Sequence, residues 1–225
     1  MAFVIVNNTA PVQFIMSENF QQLAEGLATT ASGFYSRGWV LGTSGNFSAV
    51  VRTEPLVIAI SQSGVDKGTL CAEQILEIDD KIQIVGNNLG RPSDESRLHV
   101  EVIKETGAGA VFHTHSVWST ILSDLVAAEG GVTLTGFEML KGLSGTFTHE
   151  HREWIPVFEN SQDMSELADT VCASLRRSNG LHGFLLRRHG LYSWGKDIVE
   201  AKRHIEILEF LFEVIGRELL AGIGR

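Results

Sequence analysis

The chain has 225 residues, of which 44% are hydrophobic and 20% charged, and it carries a formal charge of −9. This is ordinary globular composition, enough for one sizeable core or at most two small ones. A net negative surface disfavours a nucleic-acid partner, because phosphate neutralisation supplies most of that affinity; a small anionic substrate stays possible, since a metal ion and a few aimed amides reverse the sign locally.

The first residues, MAFVIVNNTAPVQF, are apolar but lack a basic region, which argues against a signal peptide. A helix is expected over residues 17–35. Ser17 can cap it, and Phe20, Leu23, Leu27, Ala31 and Phe34 recur at helical spacing. Short strands follow over 39–41, 46–52 and 56–61. Residues 69–76 read as a short helix or turn, and 78–85 as a strand pair or meander. A helix over 95–106 ends at Gly107, an apolar strand runs over 108–115, and a helix over 117–128 leads to a strand over 132–135. Beyond lie a strand over 154–158, a helix over 165–178 and a strand over 183–188. The last helix spans 197–220, with Ile198, Ala201, Ile205, Leu208, Phe212 and Ile215 as its apolar stripe.

Strands and helices are thus mixed without regular alternation. The expectation is an α/β fold with a mainly antiparallel or mixed sheet and helices on its faces. A single domain over 1–225 is expected, since the four prolines (Pro11, Pro55, Pro92, Pro156) mark no linker and no internal repeat is visible. No run of about 18 apolar residues occurs, so no membrane span is expected. Cys71 and Cys172 are too few for a disulfide framework. Either fits a free buried thiol, which points to a reducing, cytoplasmic setting.

The chemistry concentrates in "GAGAVFHTHS". In a strand, residues i and i+2 project from one face about 6.6 Å apart. His113 and His115 therefore point together, with Thr114 opposite, and two converging imidazoles suit two corners of a tetrahedral zinc site. The alternative is two hydrogen-bonded histidines at a strand end. A third ligand is needed, and His189, His149, His151 and His99 are all candidates. His189 ends a strand just before a glycine. His149 and His151 form a second H-x-H in a polar segment, and His99 lies on a helix. Spacing does not choose among them. His182 and His204 read as structural or exposed.

Two acids stand out. Glu138, in "GFEMLKGL", sits among apolar and small residues, which would raise its pKa toward neutrality and suit proton transfer; the plain reading is an exposed helix-start glutamate. Glu95, in "RPSDESRLH", sits at a helix start, where its plain role is to complement the dipole. Three Ser/Gly turns, "GTSGNFS", "SQSG" and "RPSDES", could present backbone N–H groups to an anion. Lys67 and Lys141 could add positive charge.

In their order, "GTSGNFS", "SQSGVDKGTL", "PSDESRLH", "GAGAVFHTHS" and "LLRRHG" resemble the class II aldolase family, which includes fuculose-phosphate aldolase and ribulose-phosphate epimerase. The resemblance spans about residues 20–215. It implies a three-layer α/β/α fold with a central, mainly antiparallel sheet, and a homotetramer with active sites near subunit interfaces. It implies one Zn2+ per subunit held by His113, His115 and His189, which sets aside His149 and His151. It places phosphate contacts at Ser44, Gly45, Asn46, Ser63, Gly64 and Ser93. "GFEMLKGL" with "THEHREWIPVFEN" resembles a narrower, dehydratase branch. That branch removes water from 5-methylthioribulose 1-phosphate in methionine salvage, with Glu138 as catalytic acid/base. Glu95 matches the acid that the family's aldolases use as base or transient ligand, a position that varies within the dehydratase branch. The alternatives are a sugar-phosphate aldolase or epimerase on this scaffold, or a non-catalytic interaction domain like the adducin head.

Overall fold

Apolar residues fill consecutive positions of the central strands, as in "LVIAIS" and "GFLL". Both faces of the sheet are therefore apolar, and helices cover both. The computed structural model describes residues 18–85, 89–178 and 180–222; Ser17, the expected helix cap, lies outside them. The helices are α1 (Glu18–Ser36), α2 (Ser96–Thr106), α3 (Val117–Leu125), α4 (Met164–Arg177) and α5 (Ile198–Leu220). The strands are β1 (Asn46–Thr53), β2 (Leu56–Ser61), β3 (Ile75–Asp79), β4 (Ala110–Thr114), β5 (Gly131–Leu134), β6 (Glu153–Phe158), β7 (Gly183–Leu186) and β8 (Gly190–Gly195). They form one sheet in the order β3-β2-β1-β4-β8-β7-β6-β5. All neighbours are antiparallel except β6 and β7. The mainly antiparallel α/β/α arrangement is the one expected.

Phe47, Ala49, Ala110, Phe112, Leu185 and Leu191 face one side and pack with α1, α3 and α5. Ile58, Ile60, Val111, Phe184, Tyr192 and Trp194 face the other and pack with α2 and α4. On α5 the stripe of Ala201, Ile205, Leu208, Phe212 and Ile215 is buried as its spacing requires. Asp197 caps that helix by accepting from Glu200 N–H at 2.8 Å. Among the described residues no helix is long and apolar enough to cross a membrane.

Several expectations are corrected. Residues 39–41 form a turn, not a strand; there the Trp39 carbonyl accepts from His115 N–H at 2.7 Å. Strand β3 begins at Ile75, directly after a single turn of 3-10 helix at Ala72–Gln74, and a lone Ile78–Ile84 bridge stands where a meander was expected. The strand over 183–188 stops at Leu186. Arg187–His189 turn, with Arg188 at φ 54°, and the chain returns as β8. Of the two readings open for His204, structural or exposed, the first holds: it faces inward, its Nδ1 2.7 Å from the Trp194 carbonyl oxygen. Cys172 is buried but Cys71 is exposed.

The central strand β8 escaped notice because "GLYSWG" begins and ends in glycine. The glycine at its start is what admits it. A Cβ at Gly190 would lie 1.9 Å from the Thr114 carbonyl oxygen, whereas one at Gly33 on α1 would meet nothing within 4 Å. Gly190→Ala should therefore cost about 3 kcal/mol or more through overpacking at the β4–β8 contact. Gly33→Ala should be stabilising by about 0.5–1 kcal/mol from helix propensity. Urea denaturation of the two variants checks both signs.

Candidate metal centre

Strand β4 delivers His113 from its last residues and His115 just beyond, both on the face toward α2. His189 arrives from the β7–β8 turn. His113 Nε2 lies 2.8 Å from His115 Nε2 and 3.3 Å from His189 Nε2, and the last two are 3.1 Å apart. Glu95 Oε1 joins them, 3.2 Å from His189 Nε2 and 3.6 Å from His113 Nε2. One ligand atom from each of the four lies within 4.8 Å of all the others.

The chemistry of this donor set fits a divalent metal. His113 Nδ1 donates to the Leu191 carbonyl at 2.9 Å and His189 Nδ1 to Asn160 Oδ1 at 3.1 Å, which leaves lone pairs on both Nε2 atoms. Burial above all pushes His115 down to about 2, so this ring is neutral. Nitrogens bound at 2.0–2.1 Å to one tetrahedral ion stand about 3.3–3.4 Å apart, close to the observed spacings. Lone pairs aimed at one point with no proton to share repel one another, and a cation between them removes that repulsion.

Glu95 does not spend its charge on the helix dipole. It occupies the N-cap of α2 without capping it, and turns its side chain to the imidazoles. Asn46 Nδ2 donates to Glu95 Oε2 at 2.6 Å, and Asn46 Oδ1 accepts from His99 Nε2. His99 Nδ1 lies 2.7 Å from Ser48 Oγ. Burial above all pushes His99 down to about 3, so this fully buried ring is a neutral link rather than a ligand. Tyr192, opposite His113 in the β4–β8 register, stacks on its ring at 3.9 Å between centroids. Sequence reasoning missed Tyr192 and the link from Asn46 to His99. For the link, the signal was present: Asn46 and Ser48 share a strand face by their spacing.

The three Ser/Gly turns meet beside this cluster. Lys67 is 1% exposed, and its Nζ donates to the Thr43 carbonyl at 3.1 Å and the Val65 carbonyl at 2.9 Å, tying the first turn to the second. Burial lowers Lys67 to about 8, against the pull of Asp66 and Glu95. Ser63 N–H donates to the Arg91 carbonyl at 2.9 Å, tying the second turn to the third. The hydroxyls of Ser44 and Ser63 have no partner among the described residues, and Gly64 is exposed. Two of the expected anion contacts are otherwise engaged. The Asn46 side chain is spent on Glu95 and His99, and the Ser93 hydroxyl accepts from Glu95 N–H at 3.3 Å. Gly45 is pressed against strand β4, where a Cβ would lie 2.7 Å from the His113 carbonyl oxygen.

Residues 25–215 match the model of the class II aldolase and adducin N-terminal domain. This chain belongs to that family. It is 40% identical over 196 residues to a methylthioribulose-1-phosphate dehydratase of Sorangium cellulosum, covering 87% of this chain and 92% of the relative. It is 43% identical over 192 residues to one of Stenotrophomonas maltophilia, covering 85% and 88%. The solved structure of l-fuculose-1-phosphate aldolase from Thermus thermophilus aligns with a TM-score of 0.71 over 92% of this chain and all of that one. At 24% identity, this likeness speaks for the fold.

Other expected site residues lie apart from the cluster in this family member. Glu138 opens a turn of 3-10 helix, Glu138–Gly142, with its side chain 73% exposed and ion-paired to Lys141. The apolar surroundings read from "GFEMLKGL" are not there, because Leu140 turns inward and Glu138 outward. His149 is exposed in a turn. His151 and His182 both lie against the buried carboxylate of Glu153, at 2.9 and 3.0 Å. Burial disfavours both charges of the Glu153–His182 pair. The attraction between them wins, lowering Glu153 and raising His182.

His115→Ala should abolish stoichiometric metal uptake and His149→Ala should leave it unchanged, as read by elemental analysis of the purified proteins. For the buried pair, His182 contributes stability below its unfolded value near 6.5 and loses it as pH rises through the raised folded value. Glu153 contributes above about 4.5 and loses it as pH falls through the depressed one. Glu153→Gln should therefore cost about 3 kcal/mol at pH 6, since it leaves a buried imidazolium unpaired. The deficit should shrink at alkaline pH in urea titrations.

Proposed function

We propose that this chain is a zinc-dependent hydro-lyase that removes water from 5-methylthioribulose 1-phosphate, giving 5-methylthio-2,3-dioxopentyl phosphate in methionine salvage. One observation carries the reading. The Glu95–His113–His115–His189 cluster is intact on a chain about 40% identical, over most of its length, to dehydratases named for that substrate. A non-catalytic interaction domain on this scaffold would have no use for four converging ligand atoms.

His113, His115 and His189 would hold the ion, which supplies Lewis acidity toward the carbon-2 ketone and its neighbouring hydroxyl. The reaction removes a proton from carbon 3 and the hydroxyl from carbon 4. Glu138 takes the proton and returns one to the departing hydroxyl, a pair of tasks one carboxylate performs if it reaches both atoms. The enol left behind tautomerises to the diketone. Glu95, kept ionised and oriented by Asn46, is a fourth oxygen ligand or an accessory base. The backbone and free hydroxyls of the turns at Ser44–Gly45, Ser63–Gly64 and Ser93 bind the phosphate, and so fix the reacting carbons from a distance.

The exposure of Glu138 fits a role on substrate and not on the metal. In a homotetramer with sites near subunit contacts, an exposed acid on one copy reaches the cluster of the next. A cytoplasmic location accords with a phosphorylated substrate and two free thiols.

With 5-methylthioribulose 1-phosphate and the zinc-loaded protein, mass spectrometry should show a product lighter by one water. Glu138→Gln should retain zinc and lower kcat by at least about 100-fold. Two smaller fragments would instead identify an aldolase, and an inverted sugar of unchanged mass an epimerase.

A further inference from the structure

Glu209 is the carboxylate whose position has no explanation in the core. It lies on α5, 3% exposed, between Leu208 and Phe210, and no lysine, arginine or histidine among the described residues pairs with it. Burial raises it to about 7, against two hydroxyl donors that favour its charge. A buried acid without a counter-charge is costly, and a well-packed apolar residue of similar volume would hold a fold as well or better.

Its two partners explain it. Thr114 Oγ1 donates to Glu209 Oε1 at 2.6 Å, and Ser116 Oγ donates to Glu209 Oε2. These residues flank His115 on either side in the chain. Strand alternation sends His113 and His115 toward the cluster and Thr114 through the sheet to the opposite layer, where α5 waits. Ser116 also caps α3, accepting from Ser119 N–H at 2.9 Å. One turn into that helix, Thr120 Oγ1 lies 2.8 Å from the Ser116 carbonyl and 3.2 Å from the carbonyl of His189. A single carboxylate behind the sheet therefore grips the main chain on both sides of one ligand and, through a helix cap, reaches the main chain of another.

We infer that Glu209 is a positioning residue for the metal centre: without touching the ion, it fixes the chain around His115 and His189 and thereby sets metal affinity. The inference rests on the reading of the cluster as a metal site. Outer partners of ligands commonly contribute 10–100-fold to affinity; here the contact runs through Thr114 and Ser116 and not through an imidazole nitrogen.

The test uses Co(II) as probe on the whole chain. Its dissociation constant is read by competition with a chromophoric chelator, and its ligand geometry by the visible d–d absorption. Glu209→Met should bind Co(II) about 10–100-fold more weakly, with an altered d–d band, while the thermal midpoint of the metal-free protein stays the same or rises. Glu209→Gln, which keeps one acceptor, should recover part of the affinity. Thr114→Val, which keeps Glu209 and the side-chain volume, should shift affinity in the same direction by less. A merely structural residue would lower the metal-free midpoint and leave affinity and spectrum alone. Folded Glu209→Met and Thr114→Val proteins with wild-type affinity and spectrum overturn the inference. If Glu209→Met does not fold, Thr114→Val decides by the same two readouts. A wild-type chain that takes up no Co(II) overturns the metal reading as well, a result distinct from equal binding by wild type and variants.

Discussion

Three imidazoles and a carboxylate aimed at one point form an arrangement that a protein interior resists, since the lone pairs turned toward that point repel one another. Much of this chain is committed to holding them there. Strand β4 supplies two ligands from one face because its period is two. The β7–β8 turn supplies the third, and it comes close enough only because Gly190 has no side chain to strike the Thr114 carbonyl. The N-cap of α2 supplies Glu95. Three of the four are then held from behind: His113 by the Leu191 carbonyl and the Tyr192 ring, His189 by Asn160, Glu95 by Asn46. Layers on both sides of the sheet take part.

What could be read in the sequence follows the reach of its signals. H-x-H on an apolar strand is local, so the shared direction of His113 and His115 was readable. So were the helices, whose stripes are long. His189 is 74 residues from His115, and only a fold, or likeness to one, joins them. Asn46 was expected at the phosphate on family likeness, and its side chain lies instead on Glu95 and His99. Asn46 is the first residue of β1, and the strand's pleat, not the turn before it, directs its amide. The surroundings of Glu138 were misread because nearby apolar residues were counted without knowing which way a 3-10 turn would face them. Glu209 was invisible for the opposite reason. Its neighbours on α5 mark the position as core, and nothing local tells an acid there what it will meet.

The active-site reading and the fold bear on different parts of the molecule. The metal cluster and the three turns are complete within one chain and packed against each other. Glu138 stands on the surface, ion-paired to Lys141. This separation suits a scaffold that serves several reactions. On the proposed reading, the metal and anion sites are the shared part, and the acid/base is carried on an outlying turn, free to differ between branches.

The knot that Lys67 makes between the first two turns bears on how an anion binds. Loops that gather around phosphate usually lose conformational freedom when the ligand arrives, and that loss subtracts from affinity. Here a buried ammonium has already drawn Thr43 and Val65 together. The ordering belongs to folding, and association begins from a cradle with little left to freeze. On the proposed reading, phosphate binding is in that sense rigid: its entropy is set by released water and surrendered ligand motion, scarcely by the protein.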